Sequence, residues 1–113
     1  MNRVAIVKGE DAIDATLRAL GAIRLEVEHV LSEDTPVLIK PNYINSKHPS
    51  TGITTDSRVI EGIVKFLKEE KINAIVIGEG SGFADTLEAF KVAGVDKVTE
   101  RWNVKLVDLN KDE

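Results

Sequence analysis

The chain has 113 residues, of which 42% are hydrophobic and 30% charged, and it carries a formal net charge of −4. That length builds one core with little room for a second, and the usage is that of an ordinary globular domain, so one domain over residues 1–113 is expected. A net negative charge without any long Lys/Arg block argues against nucleic acid as a partner, and the lack of cysteine excludes disulfides, thiolate chemistry and an iron–sulfur cluster held by this chain.

Arg3-Val4-Ala5-Ile6-Val7 is a short apolar run ended by Lys8-Gly9, the pattern of a strand buried on both faces. After Glu10 and Asp11, apolar residues recur at Ile13, Leu17, Leu20, Ile23, Val27, Val30 and Leu31, which predicts an amphipathic helix of about five turns. Gly21 lies inside it, either where the helix presses on a sheet or at a local break. Ser32 to Pro36 form a turn, and Val37-Leu38-Ile39 is a second strand stopped by Lys40-Pro41-Asn42. From Tyr43 to Thr55 no period is visible, and the loop is long and polar. Asp56 caps a helix whose stripe is Val59, Ile60, Ile63, Val64 and Leu67, with Lys68 and Lys71 at its cation-favouring end. Ala74 to Ile77 form a third strand opening into Gly78-Glu79-Gly80-Ser81-Gly82-Phe83. Asp85-Thr86-Leu87-Glu88 then starts a helix that ends at Gly94. Asp96 begins a short helix through Trp102, and Val104 to Val107 make a fourth strand ending at Asp108.

This alternation predicts an α/β, three-layer Rossmann-like domain, with a mainly parallel sheet of about four strands and helices on both faces. The strand order favoured is 2-1-3-4, with the Arg3–Val7 run internal. No apolar run approaches the roughly 20 residues that cross a bilayer, and Met1-Asn2-Arg3 precedes a strand-like run rather than a signal segment. No membrane association and a cytoplasmic location are therefore expected. Glutamine is absent while Lys and Glu are plentiful, a bias seen in hyperthermophile proteins.

In open parallel sheets, ligands bind beyond the carboxyl ends of the strands, where loops vary and helix N-termini present unpaired N–H groups. At that rim the sequence places Lys8, Lys40, Asn42, Gly78, Glu79, Gly80, Ser81, Gly82 and Asp108, and the long loop delivers Thr54 and Thr55 to a helix start. Strand ends are polar in any fold because they meet water, so this plainer account stands beside the ligand one. Lys40 suits a phosphate or carboxylate, and Thr54 and Thr55 either join it or cap the helix. The glycine loop lacks the Lys of a phosphate-binding P-loop, and Phe83 stands where the dinucleotide fingerprint needs its third glycine. It is either an anion- or nucleotide-contacting loop or a tight turn before a capped helix. His48 is the histidine placed for a site role, whereas His29 ends a helix. One loop histidine with scattered carboxylates does not define a metal site, and none is predicted.

Taken together, Val37-Leu38-Ile39-Lys40-Pro41-Asn42, Gly52-Ile53-Thr54-Thr55-Asp56, Gly78 to Thr86 and Val107-Asp108-Leu109-Asn110 resemble the domain of unknown function 362 family. Members of that family are usually longer, and many carry ferredoxin-like cysteine modules, both features this sequence lacks. The resemblance implies that Lys40, Asn42, Thr54, Thr55, Glu79, Gly80, Ser81 and Asp108 are the positions that matter, and it supplies no reaction. Two functions follow as expectations: a small-molecule-binding domain for an anionic or phosphorylated ligand at the strand ends, or a non-catalytic module that forms a homodimer or partners an iron–sulfur protein. An enzyme using Lys40, Glu79 and Asp108 ranks third, because no spacing points to one reaction class.

Overall fold

The computed structural model describes residues 2–111. Three strands, β1 (Val37–Ile39), β2 (Ile75–Glu79) and β3 (Lys105–Asp108), form one sheet in the order β1-β2-β3, and both pairs are parallel. Among the described residues five α-helices accompany them: α1 (Ala12–Ala22), α2 (Arg24–Val30), α3 (Ser57–Glu69), α4 (Thr86–Ala93) and α5 (Val95–Trp102). None of these helices is long and apolar enough to cross a membrane.

Capping chemistry sets the starts of three of these helices. The carboxylates of Asp11, Asp56 and Asp85 accept from the amides of Asp14, Arg58 and Glu88, occupying N–H groups that the first turn leaves unpaired. Gly94 ends α4 at φ 83°, a left-handed conformation that glycine adopts without steric cost. The expected single first helix breaks in two at Ile23, whose amide bonds back to Leu20 while its carbonyl accepts from Val27. Gly21 touches nothing with its missing Cβ, so it is not the point of close approach. That point is Gly62 on α3, where a Cβ would stand 2.8 Å from Thr16 Cβ and 3.2 Å from the Ile13 carbonyl. Removing a side chain there lets α1 lie directly on α3.

The core forms between one sheet face and the helices. Ile39, Ile75 and Ile77 meet Ile60, Val64 and Leu67 of α3, Ala89 and Phe90 of α4, and Val95 and Val98 of α5. Leu17 and Leu20 of α1 pack against this cluster. Glu61 ties α3 to α5 by accepting from the Arg101 guanidinium at 2.8 and 2.9 Å and from Trp102 Nε1 at 3.0 Å.

Three expectations differ from this arrangement. Arg3–Val7 is not a strand: Val4 and Ile6 are 85% and 93% exposed, and two anchors hold the run along the first helices. Arg3 pairs with Glu26 of α2, and Arg18 of α1 donates to the Lys8 carbonyl at 3.3 Å. With that run outside the sheet, the order 2-1-3-4 gives way to direct pairing of Val37–Ile39 with Ile75–Ile77. The described helices pack on one face, so the arrangement has two layers. On the other face Leu38 is 54% exposed, and Leu38, Val76, Val107 and Leu109 line an open depression of about 320 Å³. Right-handed crossovers that step β1 to β2 to β3 in one direction put every connecting helix on the same side.

Candidate functional site

The carboxyl ends of the three strands converge on Glu79, the last residue of β2. Alternation along β2 turns its side chain to the same face as Ile75 and Ile77, and the residue is only 4% exposed. One carboxylate oxygen accepts from the Tyr43 amide at 2.8 Å; the other accepts from the Gly80 amide at 2.9 Å and pairs with Lys40 Nζ at 3.0 Å. Burial pushes the Glu79 carboxyl up, but the two amides and the ammonium together hold it below its usual value. It is therefore an ionised clamp between the loops that leave β1 and β2.

Further bonds extend the clamp. The Ser81 hydroxyl donates to the Tyr43 carbonyl in a short contact, its amide donates to Thr86 Oγ1 at 3.0 Å, and its carbonyl accepts from Asn110 Nδ2 at 2.9 Å. Gly80 has no room for a Cβ, which would stand 2.7 Å from Asn110 Oδ1. The Leu109 amide reaches the Glu79 carbonyl at 2.9 Å, and Asp108 accepts from the Asn110 amide at 3.0 Å with Lys111 Nζ 3.8 Å away.

The long loop is closed at its neck by two reciprocal bonds. The Asn42 amide donates to Thr55 Oγ1 at 2.9 Å and the Thr55 amide donates to the Asn42 carbonyl at 3.1 Å. Asn42 Nδ2 reaches the Ile53 carbonyl, and Thr54 Oγ1 donates to the Lys47 carbonyl at 2.8 Å. Tyr43 plugs the neck from below: it is fully buried, stands edge-on to Phe90 at 5.6 Å, and donates its hydroxyl to the Thr55 carbonyl at 2.8 Å. Burial and the Asp56 charge push the Tyr43 hydroxyl far above the ordinary phenol value, so it stays a donor.

Beyond the neck, the loop tip and the start of α3 enclose a cleft of about 370 Å³ lined by His48, Pro49, Ser50, Asp56, Ser57, Arg58 and Ala93. A single 3-10 turn over Pro49–Thr51 carries the tip, and the Ser50 amide donates to His48 Nδ1 at 3.1 Å. In that bond Nδ1 is the acceptor. Asp56 is engaged twice, by the Arg58 amide at 2.9 Å and by its guanidinium at 2.8 Å. The Arg58 hydrogen bonds bring the Asp56 carboxyl below its ordinary value against the effect of burial, with a smaller contribution from His48.

Lys40, Asn42, Thr55, Glu79, Gly80, Ser81 and Asp108 thus gather at one rim. Thr54 instead turns into the loop, and Gly78 lies on the open sheet face, where a Cβ would meet Leu38 and Leu109 at 3.2 Å. Gly82 has nothing within 4 Å of where its Cβ would stand. Tyr43, Thr86 and Asn110 belong to the network although the sequence marks none of them as a site residue; Thr86 and Asn110 lie inside motifs that carry the resemblance. Tyr43 directly after Lys-Pro-Asn, and Asn110 two residues after Asp108, were the available signals. Arg58 and Ser57 were hidden because a helix surface and a pocket wall have the same composition. Among the described residues no group of three or more His, Asp or Glu is arranged to hold a metal ion.

The family model described as Domain of unknown function (DUF362) matches residues 37–113, more than half of the chain. The chain belongs to that family. The segment matched to DUF362 starts at β1 and contains the whole clamp, the loop neck and the cleft, whereas α1, α2 and the Arg3–Val7 run precede it. Every motif that carried the resemblance in the sequence falls inside the match. No curated protein and no solved structure matches the chain.

Proposed function

We propose that this DUF362 chain is a binding domain for a small anionic or phosphorylated ligand, held in the cleft between the loop tip and the start of α3. The observation that carries this reading is the lining of that cleft. It brings the His48 imidazole, the Ser50 and Ser57 hydroxyls and the Arg58 guanidinium to the N-terminal end of a 13-residue helix, and the one carboxylate present is already neutralised by Arg58. A helix N-terminus favours negative charge, and a guanidinium can turn from a carboxylate to a phosphate without losing its bidentate geometry. In this reading the residues the sequence emphasises act one step back: Glu79, Ser81, Asn42, Thr55 and Tyr43 fix the loop whose tip forms the cleft. Lys40, which has two ammonium protons beyond its bond to Glu79, and Gly82 offer a secondary contact at the rim.

Thermal denaturation with inorganic phosphate and a panel of nucleotides and phosphorylated metabolites tests it. A ligand at a hundredfold excess over its Kd stabilises by about 2.7 kcal/mol, a rise of several degrees in Tm for a domain of this size. Arg58→Ala and His48→Ala remove the rise. Variants that respond to every probe as the unaltered chain does refute the reading.

A second reading, a module that associates with itself or with another protein, is favoured by a separate observation. Apolar side chains stand exposed on the open sheet face and along Arg3–Val7. In an assembly that covers this face and pairs this run, the domain gains the fourth strand and third layer of a Rossmann-like fold. An iron–sulfur protein as that partner rests on the family resemblance alone.

A further inference from the structure

We infer that Arg3–Val7 is an exchange strand that pairs in parallel with the outer edge of β1 in a second copy of the chain; this rests on the self-association reading above. Two edges in the chain are incomplete. The sheet order leaves one edge of β1 free, and among the described residues no backbone amide or carbonyl of Arg3–Val7 has a hydrogen-bond partner. An unpaired strand edge is a template for another strand.

The two edges also match in side-chain pattern. In the N-terminal run Ala5 and Val7 are partly buried while Val4 and Ile6 are exposed; in β1 Val37 and Ile39 face the helices while Leu38 is exposed. Placing Ala5, Ile6 and Val7 beside Val37, Leu38 and Ile39 keeps both alternations in phase. It sets Ile6 next to Leu38 and extends the apolar surface that Val76 and Val107 begin.

Topology names the same edge. A right-handed crossover from the run through α1 and α2 to β1, with α1 beside α3, places the run outside β1. An edge built to accept a chain's own strand accepts the same strand from a second copy, which is the logic of domain swapping. The Arg3–Glu26 pair and the Arg18 bond to the Lys8 carbonyl hold the run along its own helices, so the second copy supplies the occupant. A twofold axis makes the exchange reciprocal and closed, and two five-residue strands with one shallow sheet face form an interface at the small end of the stable range. The dimer is therefore concentration-dependent.

The chain contains no cysteine, so engineered pairs report contacts without background. Ile6→Cys and Leu38→Cys both alter exposed side chains. Mixed as single variants and oxidised gently, they are expected to give an Ile6–Leu38 cross-linked species in excess of either self-linked one, and light scattering is expected to show a dimer whose Kd rises at least about tenfold in Ile6→Asp. Circular dichroism of each variant checks that it folds. A double-cysteine variant that closes within one chain overturns the proposal. A dimer indifferent to Ile6→Asp and not cross-linked by this pair also overturns it, yet leaves self-association standing through another face. A strict monomer at every concentration refutes both.

Discussion

Replacing Glu79 by alanine tests the idea that this carboxylate is a structural clamp. The substitution removes the acceptor for the Tyr43 and Gly80 amides and the counter-charge of Lys40. Hydrogen bonds to a charged group contribute about 1.5–3 kcal/mol each, and a buried donor left without a partner loses its solvation as well. Tyr43 is fully buried, so its amide has no water to turn to, whereas the Lys40 side chain is 61% exposed and its share is under about 1 kcal/mol. The expected loss is about 3–5 kcal/mol, a large part of the 5–15 kcal/mol that holds an ordinary domain together. Urea titration at neutral pH reads it as a fall in midpoint at unchanged slope, with Lys40→Ala as the mild comparison. The same clamp predicts an acid response. The folded carboxyl lies below its unfolded value of about 4.3, so its contribution is complete above that pH and is lost as pH falls through the folded value. Glu79→Gln removes this component of the pH dependence. If Glu79→Ala and Lys40→Ala shift the midpoint equally, the carboxylate holds no amides and the reasoning fails.

Gly80→Ala is expected to destabilise by about 1–3 kcal/mol because its Cβ meets Asn110 Oδ1, and Asn110→Ala in the same chain recovers part of the loss in chemical denaturation. Gly62→Ala pushes α1 off α3 at Thr16, and calorimetry is expected to show a loss of about 1–3 kcal/mol where a solvent-facing helical glycine would gain from alanine. Asp56→Ala removes the α3 cap, lowering stability by about 1 kcal/mol in urea titration, yet it frees Arg58 and tightens phosphate binding measured by calorimetric titration.

What could be read in the sequence was local or periodic. Asp56 and Asp85 announced their helices, Gly94 announced an end, and the strand patterns at 37–39, 74–77 and 104–107 correspond to three parallel strands with their polar ends on one rim. The DUF362 resemblance lay in motifs that straddle those same strand ends. The strand pattern of Arg3–Val7 was equally clear, but pattern states that a strand is wanted and not that an edge is in reach. Glu79 shows the other boundary. Its presence at the rim followed from its place after an apolar run, whereas its partners are the amides of Gly80 next to it and Tyr43, 36 residues earlier, which only the fold brings together. The helix breaks at Ile23, two residues past Gly21, which the sequence offers either as a contact with a sheet or as a local break; a flexible residue marks where a helix can yield, while tertiary packing decides where it does.

The Asn42–Thr55 neck gives the domain a hinge-free collar. Inward of it Glu79, Ser81 and Tyr43 hold the chain, and the stretch from Ile44 to Ile53 is pinned at both ends, the Ile44 carbonyl by the Phe83 amide and the Ile53 carbonyl by Asn42 Nδ2, with a 3-10 turn between. That turn supplies part of the cleft wall, so a change of residue there alters the mouth of the cleft at a distance from the sheet.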